Sequence, residues 1–539
     1  MKNVKKHFVK KHLNERINKK AAVCITAFLM LGIVATGCID DTDIISANPD
    51  YNGASENISC ESATPCPEEC RYYVDISGDD TADGLGWATA MRQVQPAINR
   101  AFCTVQSCAG IHQCDVWVAG LKRADSEGSA KDYSMKTSNV ARNDTIRLRD
   151  GINLYGGFEG TETTADDRWF VQERPAVGVN EWAFGTYLPH LGGNGRTMEV
   201  DGRGRIDGFS FSGASLDVDG GKNAAPGGGA IWAHGNTVTI ANCEFADNGG
   251  RIGGMGGAVM VDGGDAHISY SVFRNNIGHN GGALGLTGGA IVVDRCVFHD
   301  NEADFMGGAI YKLNAESLDI RNSIFSGNHA SKWGGAVYAT SWGPESNFDY
   351  TPESNSLTVT NSFFVANQAA AGSAVIADGQ AEVIAEQQIK NCTFYNNVDT
   401  QGYGAIQLVG TGLDGIGEIV NSIVWSDTSL DAPLVYAARV SHSVLINLGA
   451  LSEEVVQDAN IDANPLIQVV SSGDWQSGWS YTLAPDSPCI DAGQGDMAPS
   501  VDLLGNPRTD IATVANTGSG VIDYADIGAI EFVDVSSTP

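Results

Sequence analysis

Two carboxylates stand at matching positions of a repeated phrase and are the first candidates for chemistry. The phrase reads FADN at residues 245–248 and FHDN at residues 298–301, so Asp247 and Asp300 occupy the same place in it. If the copies stack, these two carboxylates lie two strand spacings of ~4.8 Å apart, or about 9–10 Å, near the upper limit for an inverting glycosidase. Asn275 and Gly327 fill the same position in other copies. An ordinary turn position is therefore the alternative interpretation.

Aromatic side chains are the second candidates, in this case for binding. In the segment after each Gly-Gly pair, Trp232, Tyr311 and Tyr338 occupy matching positions, and an insertion shortly afterwards adds Trp342. If these rings face outward, stacked copies form a platform for sugar rings or for the side chains of a protein partner. If they face inward, they belong to the core. Strand alternation does not decide, because Tyr311 stands between an isoleucine and a lysine.

A cluster of six cysteines precedes the repeated region. They are Cys60, Cys66, Cys70, Cys103, Cys108 and Cys114, out of twelve in the chain. An even cluster in an exported chain predicts disulfides, whose connectivity the sequence leaves open. Zinc is the alternative, but the cluster has no Cys-x-x-Cys spacing and His112 is the only histidine nearby. We expect no metal and no cofactor.

A sequence repeat carries these candidates and must position them. Gly-Gly-Ala followed by Ile or Val begins at residue 307 and returns 27 residues later, and a Phe-x-x-Asn phrase keeps step with it. A fixed period in the twenties with many β-branched residues is typical of a solenoid. The copies of the phrase begin at Phe245, Phe273, Phe298, Phe325, Phe364 and Phe394. We expect these rings to form an interior column, beside Cys243, Cys296 and Cys392 as buried free thiols.

The alternation of buried residues slips by one position just before each phrase. Val238 and Ile240 share one face, but Cys243 and Phe245 are out of phase with them. Because a strand keeps a period of two, a repeated slip indicates a sharp corner. Asparagine tolerates the left-handed backbone conformation of such a bend. It stands at the slip as Asn242, Asn322, Asn361, Asn391 and Asn421. Each repeat is therefore predicted to contain three short parallel strands.

The two phrases also resemble those of known proteins. Gly-Gly-Ala-Ile and Phe-x-x-Asn resemble the repeats of polymorphic outer membrane proteins, and the asparagine corner resembles the right-handed parallel β-helix of pectin-lyase-like proteins. The resemblance covers residues 205–450 and implies an all-β fold with three strands per turn. This fold serves polysaccharide lyases, glycoside hydrolases and adhesins, so it does not select a function. The Gly-His-Gly and Arg-Ile-Lys motifs of polygalacturonase-like enzymes are absent.

The first 37 residues have the pattern of an export signal. A basic segment precedes an apolar run from Ala21 to Val34, which ends in small residues before Cys38. This resembles a bacterial lipoprotein signal and implies lipid on Cys38 and attachment to the outer membrane, at the cell surface. Ordinary secretion and a transmembrane anchor are the alternatives.

The chain is strongly acidic. Residues 1–37 hold eight Lys or Arg and one Glu, so their removal shifts the net charge from −32 to −39. A surface this acidic repels phosphate backbones, and we expect no nucleic-acid partner. It also disfavours uronate-rich polymers.

We expect five parts along the chain. They are a signal peptide at 1–37, a flexible tether at 38–59, a Cys-rich N-terminal module and cap at 60–200, parallel β-helix repeats at 201–450, and closing turns at 451–539. A helix from Pro96 to Phe102 is expected to cover the first turn. The expected function is that of a non-catalytic, surface-exposed lipoprotein whose β-helix presents a binding or adhesive face. Its partners would be the membrane, through the lipid anchor, and a glycan or a protein of a host or neighbouring cell. A polysaccharide lyase or glycoside hydrolase is the alternative.

Overall fold

The computed structural model describes most of the chain after residue 59. Described are residues 60, 66–120, 145–168, 190–192, 195–216, 227–235, 237–249, 254–341, 356–378, 386–409, 417–427, 435–436, 439–446, 455–471 and 480–533. The chain divides into two compact units, Met1–Ile44 and Ile45–Pro539, and every described residue belongs to the second. The predicted signal, the tether, Cys38 and Trp342 lie outside the described residues. In the described part, no helix has the length and apolar character needed to cross a membrane.

Four parallel sheets run side by side along the described chain and form a coil. Sheet 1 contains ten described strands: Ile146–Arg149, Met198–Asp201, Ile231–His234, Val259–Asp262, Leu284–Thr287, Ile310–Leu313, Val337–Thr340, Val375–Asp378, Ile406–Val409 and Val435–Tyr436. Sheet 2 contains thirteen: Arg71–Val74, Cys114–Ala119, Ile152–Phe158, Gly204–Asp207, Val238–Ala241, Ala266–Ser269, Ala290–Asp294, Ser317–Arg321, Ser356–Thr360, Gln387–Lys390, Gly417–Val420, Arg439–Ser441 and Val456–Asp458.

The other two sheets complete each turn. Sheet 3 contains ten described strands: His190–Gly192, Ser210–Ser212, Glu244–Ala246, Val272–Arg274, Val297–His299, Ile324–Ser326, Phe363–Val365, Thr393–Tyr395, Ile423–Trp425 and Val444–Leu445. Sheet 4 contains five: Ile277–Asn280, Glu302–Met306, His329–Ala330, Gln368–Ala369 and Val398–Asp399. The predicted three strands per turn are confirmed as sheets 1 to 3. Sheet 4 was not predicted; it adds a short fourth strand before the Gly-Gly turn.

The phenylalanines form the predicted interior column. Consecutive rings from Phe211 through Phe245 to Phe394 stack with centroids 4.6–4.9 Å apart and planes within 10° of parallel. Each pair of rings stands on directly paired strands of sheet 3, as Phe245 and Phe273 do. The ring spacing is therefore set by the strand spacing of about 4.8 Å.

The predicted asparagine corners are present between sheets 2 and 3. The five asparagines have φ between 48° and 52°. Tyr270 and Arg295 take the same left-handed conformation in turns that lack asparagine there, with φ of 49° and 52°. The corner is thus imposed by the fold, and asparagine is the residue that adopts it at least cost.

A second asparagine column stands at the last position of the Phe-x-x-Asn phrase. Its side-chain amides make hydrogen bonds to buried backbone groups at the next bend. Asn301 is typical: its Nδ2 donates to the Phe273 carbonyl at 2.9 Å and to Asn328 Oδ1 at 2.9 Å, while its Oδ1 accepts from the backbone and side-chain nitrogens of Asn276. The same bonds recur from Asn248 to Asn367. Because each side-chain amide bonds to the turn before it and to the turn after it, the column ties successive turns together.

Three disulfides and one helix close the N-terminal end. The bonds join Cys60 to Cys103, Cys66 to Cys108 and Cys70 to Cys114. The disulfide prediction is confirmed, and the zinc alternative is removed because the sulfurs are bonded to one another. The helix Val94–Ser107 includes the predicted Pro96–Phe102 segment and buries Ala97, Ile98 and Ala101 against the first turn. Three short 3₁₀ helices, Trp87–Thr89, Ala165–Asp167 and Gly495–Met497, complete the helical structure of the described residues.

The C-terminal segment differs from a simple series of closing turns. Val456–Asp458 adds a last described strand to sheet 2, and Ile467–Ser471 then pairs with Ser480–Leu483 in an antiparallel hairpin. Residues 480–533 fold back along the outer face of sheet 3. Tyr481 stacks on Phe363 at 4.5 Å, Val501 O accepts from Asn361 Nδ2 at 2.7 Å, and the Ala529 amide donates to Thr393 Oγ1 at 3.0 Å. We call residues 480–533 the fold-back module.

Candidate functional site

The two matched carboxylates lie on the exposed corner between sheets 3 and 4. Asp247 and Asp300 have φ of 54° and 50°, as other residues of that corner do, and their side chains are 61% and 53% exposed. Asp247 pairs with Arg274 Nη1 at 3.7 Å, and Asp300 with His299 Nε2 at 3.1 Å. Their strands are two steps apart in sheet 3, joined through Val272–Arg274. This geometry favours the interpretation that Asp247 and Asp300 occupy an ordinary turn position. It disfavours the interpretation that they act as acid and base on one substrate.

The predicted aromatic platform faces away from the interior but is covered. On sheet 1, Trp232, Tyr311 and Tyr338 are 7%, 4% and 5% exposed. Tyr311 and Tyr338 stand on paired strands, and their rings stack at 5.9 Å. The expectation of a solvent-facing platform is therefore corrected for these three residues. Alternation places them outside the interior, and a second layer of side chains then lies on top of them.

The covering layer contains aromatic rings of its own, which do reach the surface. His279, Phe305 and Trp333 come from three successive turns at the end of sheet 4, and each is partly exposed. His279 and Phe305 stack at 5.7 Å with planes 4° apart, and the Phe305 and Trp333 centroids are 5.9 Å apart. We call these three residues the ring ladder. Phe305 and Trp333 pack on the buried cluster that contains Tyr311 and Tyr338.

The Gly-Gly turn explains why the ring ladder lies so close to sheet 1. Gly307 and Gly334 have φ of 64° and 65°, where a side chain is strained. A Cβ on Gly308 would stand 2.0 Å from the Gly335 carbonyl oxygen in the next turn. The chain therefore makes a tight turn within two residues of Phe305 and Trp333. This brings the end of sheet 4 down onto the outer face of sheet 1.

A buried tyrosine–aspartate pair lies beneath the ring ladder. Tyr338 donates its hydroxyl hydrogen to Asp378 Oδ2 at 2.9 Å. Burial raises the pKa of both groups, and the charge of Asp378 raises that of Tyr338 further. The phenol stays protonated and acts as a fixed donor, so this pair holds the base of the ladder rigid.

The lysine that made the alternation ambiguous points into the coil. Lys312 is fully buried, and its strand neighbours Leu286 and Ala339 both belong to the main core. Burial lowers the pKa of Lys312 to about 7. Ile310 and Lys312 therefore mark the same interior face, and Tyr311 between them faces outward. Interior position overrides the usual preference of lysine for the surface.

The sequence contained a signal for the ring ladder that the repeat alignment missed. Each ring stands one or two residues before a Gly-Gly pair, in HNGG, FMGG and WGG. Aligning only the residues after Gly-Gly selected the covered layer instead. No group of three or more His, Cys, Asp or Glu suited to a metal ion occurs among the described residues.

The described chain is a right-handed parallel β-helix with a disulfide-bonded N-terminal cap. Residues 228–414 match the family model described as "Right handed beta helix region". Among solved structures, a rhamnogalacturonan lyase is similar at 12% identity with a TM-score of 0.41, covering 78% of this chain and 96% of its own. The crystal structure of pectate lyase Pel9A is similar at 11% identity with a TM-score of 0.40, covering 88% of this chain and 98% of its own. No curated protein matches the chain in sequence.

Proposed function

We propose that this chain is a non-catalytic, lipid-anchored surface protein whose β-helix presents a glycan-binding face. The ring ladder carries this proposal. His279, Phe305 and Trp333 come from three successive turns, with Trp333 in register with Met306, one residue beyond Phe305, so the face they form runs along the coil axis with one ring per turn. A ligand that is itself a linear series of rings, aligned with the coil axis, matches such a face better than a compact molecule does.

The rings are held in place before any ligand arrives. Phe305 and Trp333 rest on buried side chains of sheet 1, and the Trp333 ring also stacks on Tyr338 at 6.1 Å. A rigid aromatic surface loses little conformational entropy when a sugar ring stacks on it. Each stacking contact contributes about 0.5–1.5 kcal/mol beyond the burial of apolar area.

Charge indicates the class of glycan. The chain carries a formal net charge of −32, and Glu302 and Asp304 stand beside the ring ladder in the sequence. Anionic polymers are repelled by such a surface unless cations screen it. A neutral polysaccharide is therefore the favoured ligand, and a protein partner bearing exposed apolar side chains is the alternative occupant of the face.

The non-catalytic part of the proposal rests on the acids. Asp247 and Asp300 are exposed, bonded to neighbours and located at a corner where any residue must turn. The rival function, a polysaccharide lyase or glycoside hydrolase, requires acids that converge on one bond of the substrate. Surface attachment through Cys38 is supported by the sequence pattern of the first 37 residues alone.

Binding to a panel of neutral, amino-sugar and uronate oligosaccharides tests the proposal. We expect the mature chain to bind neutral members, and Phe305→Ala and Trp333→Ala each to weaken binding about 2- to 10-fold. Tyr403→Ala is the matched control, because Tyr403 is 44% exposed and lies outside the ring ladder. If Phe305→Ala and Trp333→Ala bound as tightly as the unaltered chain, the ring ladder would be refuted as the binding site. New reducing ends or unsaturated products in the same samples would refute the non-catalytic assignment.

A further inference from the structure

A compact group of polar side chains lies on the outer face of sheet 2, at its N-terminal end. Arg71, Asp115, Asn153 and Arg205 are direct partners on four successive strands. They therefore form one column with a spacing of about 4.8 Å. Each is partly exposed, as is Tyr155, which stands on the same strand as Asn153. We call these five residues the polar patch.

The polar patch borders a rigid aromatic layer. Trp117 stacks on Phe158 at 4.4 Å, and Tyr73 packs edge-on against Trp87 at 4.8 Å. The guanidinium of Arg71 lies 3.9 Å from the centre of the Trp117 ring. This cation–π contact fixes the first member of the column over a buried ring.

The remaining members of the column are fixed by hydrogen bonds. Asn153 Nδ2 donates to Asp115 Oδ1 at 3.0 Å. Arg205 donates through Nε and Nη2 to Asp207 Oδ2, at 2.9 and 2.6 Å, and still has 35% of its side chain exposed. Asp207 is itself buried and pairs with Arg168 at 3.0 Å. The side chains of the column are therefore held in place before a ligand binds, by their own hydrogen bonds and by the buried Asp207–Arg168 pair. A binding site requires such preorganisation.

Burial at the polar patch perturbs the titration of its two acidic groups. Burial raises the pKa of Asp115, even though Asn153, Arg71 and Arg205 all favour its charged form. Burial also raises the pKa of Tyr155, and the charge of Asp115 adds to that effect. Perturbed, partly exposed carboxyls concentrate at functional sites.

The chemistry of the polar patch selects a class of ligand. Two guanidiniums disfavour a cation, the central carboxylate disfavours an anion, and the density of polar groups disfavours an apolar surface. Along the column, the carboxylate of Asp115 accepts hydrogen bonds, the amide of Asn153 donates and accepts them, and the guanidinium of Arg205 donates them. The Tyr155 ring lies alongside. Hydroxyl groups both donate and accept, so a neutral polyhydroxyl ring satisfies all of these groups at once.

We propose that the polar patch is a second carbohydrate-binding site, which takes a neutral sugar through its hydroxyl groups. This proposal deepens the proposed glycan-binding function and rests on it for the class of ligand. It is independent of the ring ladder in its residues, because the patch belongs to sheet 2 and the ladder to sheet 4. The two sites give this protein two separate faces for polysaccharide.

Titration calorimetry of the mature chain with neutral and uronate oligosaccharides tests the patch. Asp115→Asn and Asn153→Ala are each expected to weaken binding of a neutral oligosaccharide about tenfold, and Tyr155→Phe less. Asp319→Asn is the matched control, since Asp319 is a partly exposed carboxyl on the same outer face of sheet 2, several strands away. Hydrogen exchange should show ligand protection at residues 145–158.

The outcomes separate the two proposals. Neutral-sugar binding that is lost in the patch variants but kept in Asp319→Asn supports the patch. Binding that depends on Phe305 and Trp333 and stays within twofold in the patch variants overturns the patch and leaves the ring ladder. Binding of uronates alone overturns the patch, as does absence of all glycan binding, which overturns the proposed function too. Arg71→Lys, which keeps the charge, gives a second variant of the column if Asp115→Asn fails to fold.

Discussion

Replacing Lys312 by methionine should make the coil substantially more stable. Lys312 is fully buried in the interior of sheet 1, beside Leu286 and Ala339. Methionine keeps the unbranched shape and much of the volume of lysine but has no charge to desolvate. The substitution therefore removes the cost of burying a charged ammonium and leaves the packing of the interior beside Leu286 and Ala339 nearly unchanged.

The lowered pKa sets the magnitude. Burial takes the pKa of Lys312 from 10.5 to about 7. At ~1.4 kcal/mol per pKa unit, a buried charged ammonium then costs about 5 kcal/mol below pH 7. Above pH 7 the folded form releases its proton while the unfolded form stays charged, so the cost decreases. It is about 2 kcal/mol at pH 9 and disappears as the pH passes 10.5, the unfolded value.

Urea unfolding followed by circular dichroism at pH 6 and pH 9 measures this difference. We expect Lys312→Met to raise the unfolding midpoint at both pH values, and more at pH 6. Lys332→Met is the control, because Lys332 is exposed in the next turn and its replacement should leave the midpoint nearly unchanged.

The opposite result would be equally informative. A variant no more stable than the natural chain at pH 6 would mean that the interior stabilises the ammonium about as well as water does. A gain that stayed constant between pH 6 and pH 9 would mean that the folded lysine keeps its proton throughout this range, as the unfolded one does, so that its pKa is not lowered to about 7. Either result would refute the desolvation argument.

Three further predictions concern the second asparagine column, the N-terminal cap and the fold-back module. Asn301→Ala should lower stability by about 3 kcal/mol, because it removes the side-chain partner of the buried Phe273 carbonyl, the acceptor of the Asn276 backbone amide and one of the two acceptors of Asn276 Nδ2; a lower urea midpoint measures this. Reducing the bond between Cys66 and Cys108 should destabilise the cap by about 2–4 kcal/mol, measured as faster proteolysis there. Burial raises the pKa of Asp491 to about 6 and also raises that of Asp526. The fold-back module should therefore lose stability as pH rises from about 4 through 6 and beyond, seen as faster proteolysis of residues 480–533 at pH 9 than at pH 5.

Local residue chemistry was sufficient to predict the coil. The corner at Asn242 and its counterparts needs a left-handed backbone, and few residues other than glycine adopt it as readily as asparagine does. The stacked column from Phe245 to Phe394 follows from repeating one ring per turn. The corner depends on residues close together in the chain, and the ring column requires only that the same unit be repeated.

The candidate site was predicted only in part, because exposure depends on a second layer. Alternation correctly leaves Tyr311 outside the interior once Lys312 is placed inside it. It does not reveal that Phe305 and Trp333 lie above the tyrosines. That layer forms when the Gly-Gly turn folds sheet 4 against sheet 1.

The sequence by itself determined the parallel coil, its corners, its ring column and the presence of disulfides in the cap, since each follows from the conformational preference or bonding of residues within a repeat or a cluster. Only the tertiary structure decided which cysteines pair, which rings reach solvent and where the last segment lies. The polar patch shows the reason most clearly: Arg71 and Arg205 are far apart in the chain but three strand spacings apart in sheet 2. Stacking of whole turns brings such residues together, and Arg71 and Asp115 precede the repeated phrases, so no repeat in the sequence marks their register.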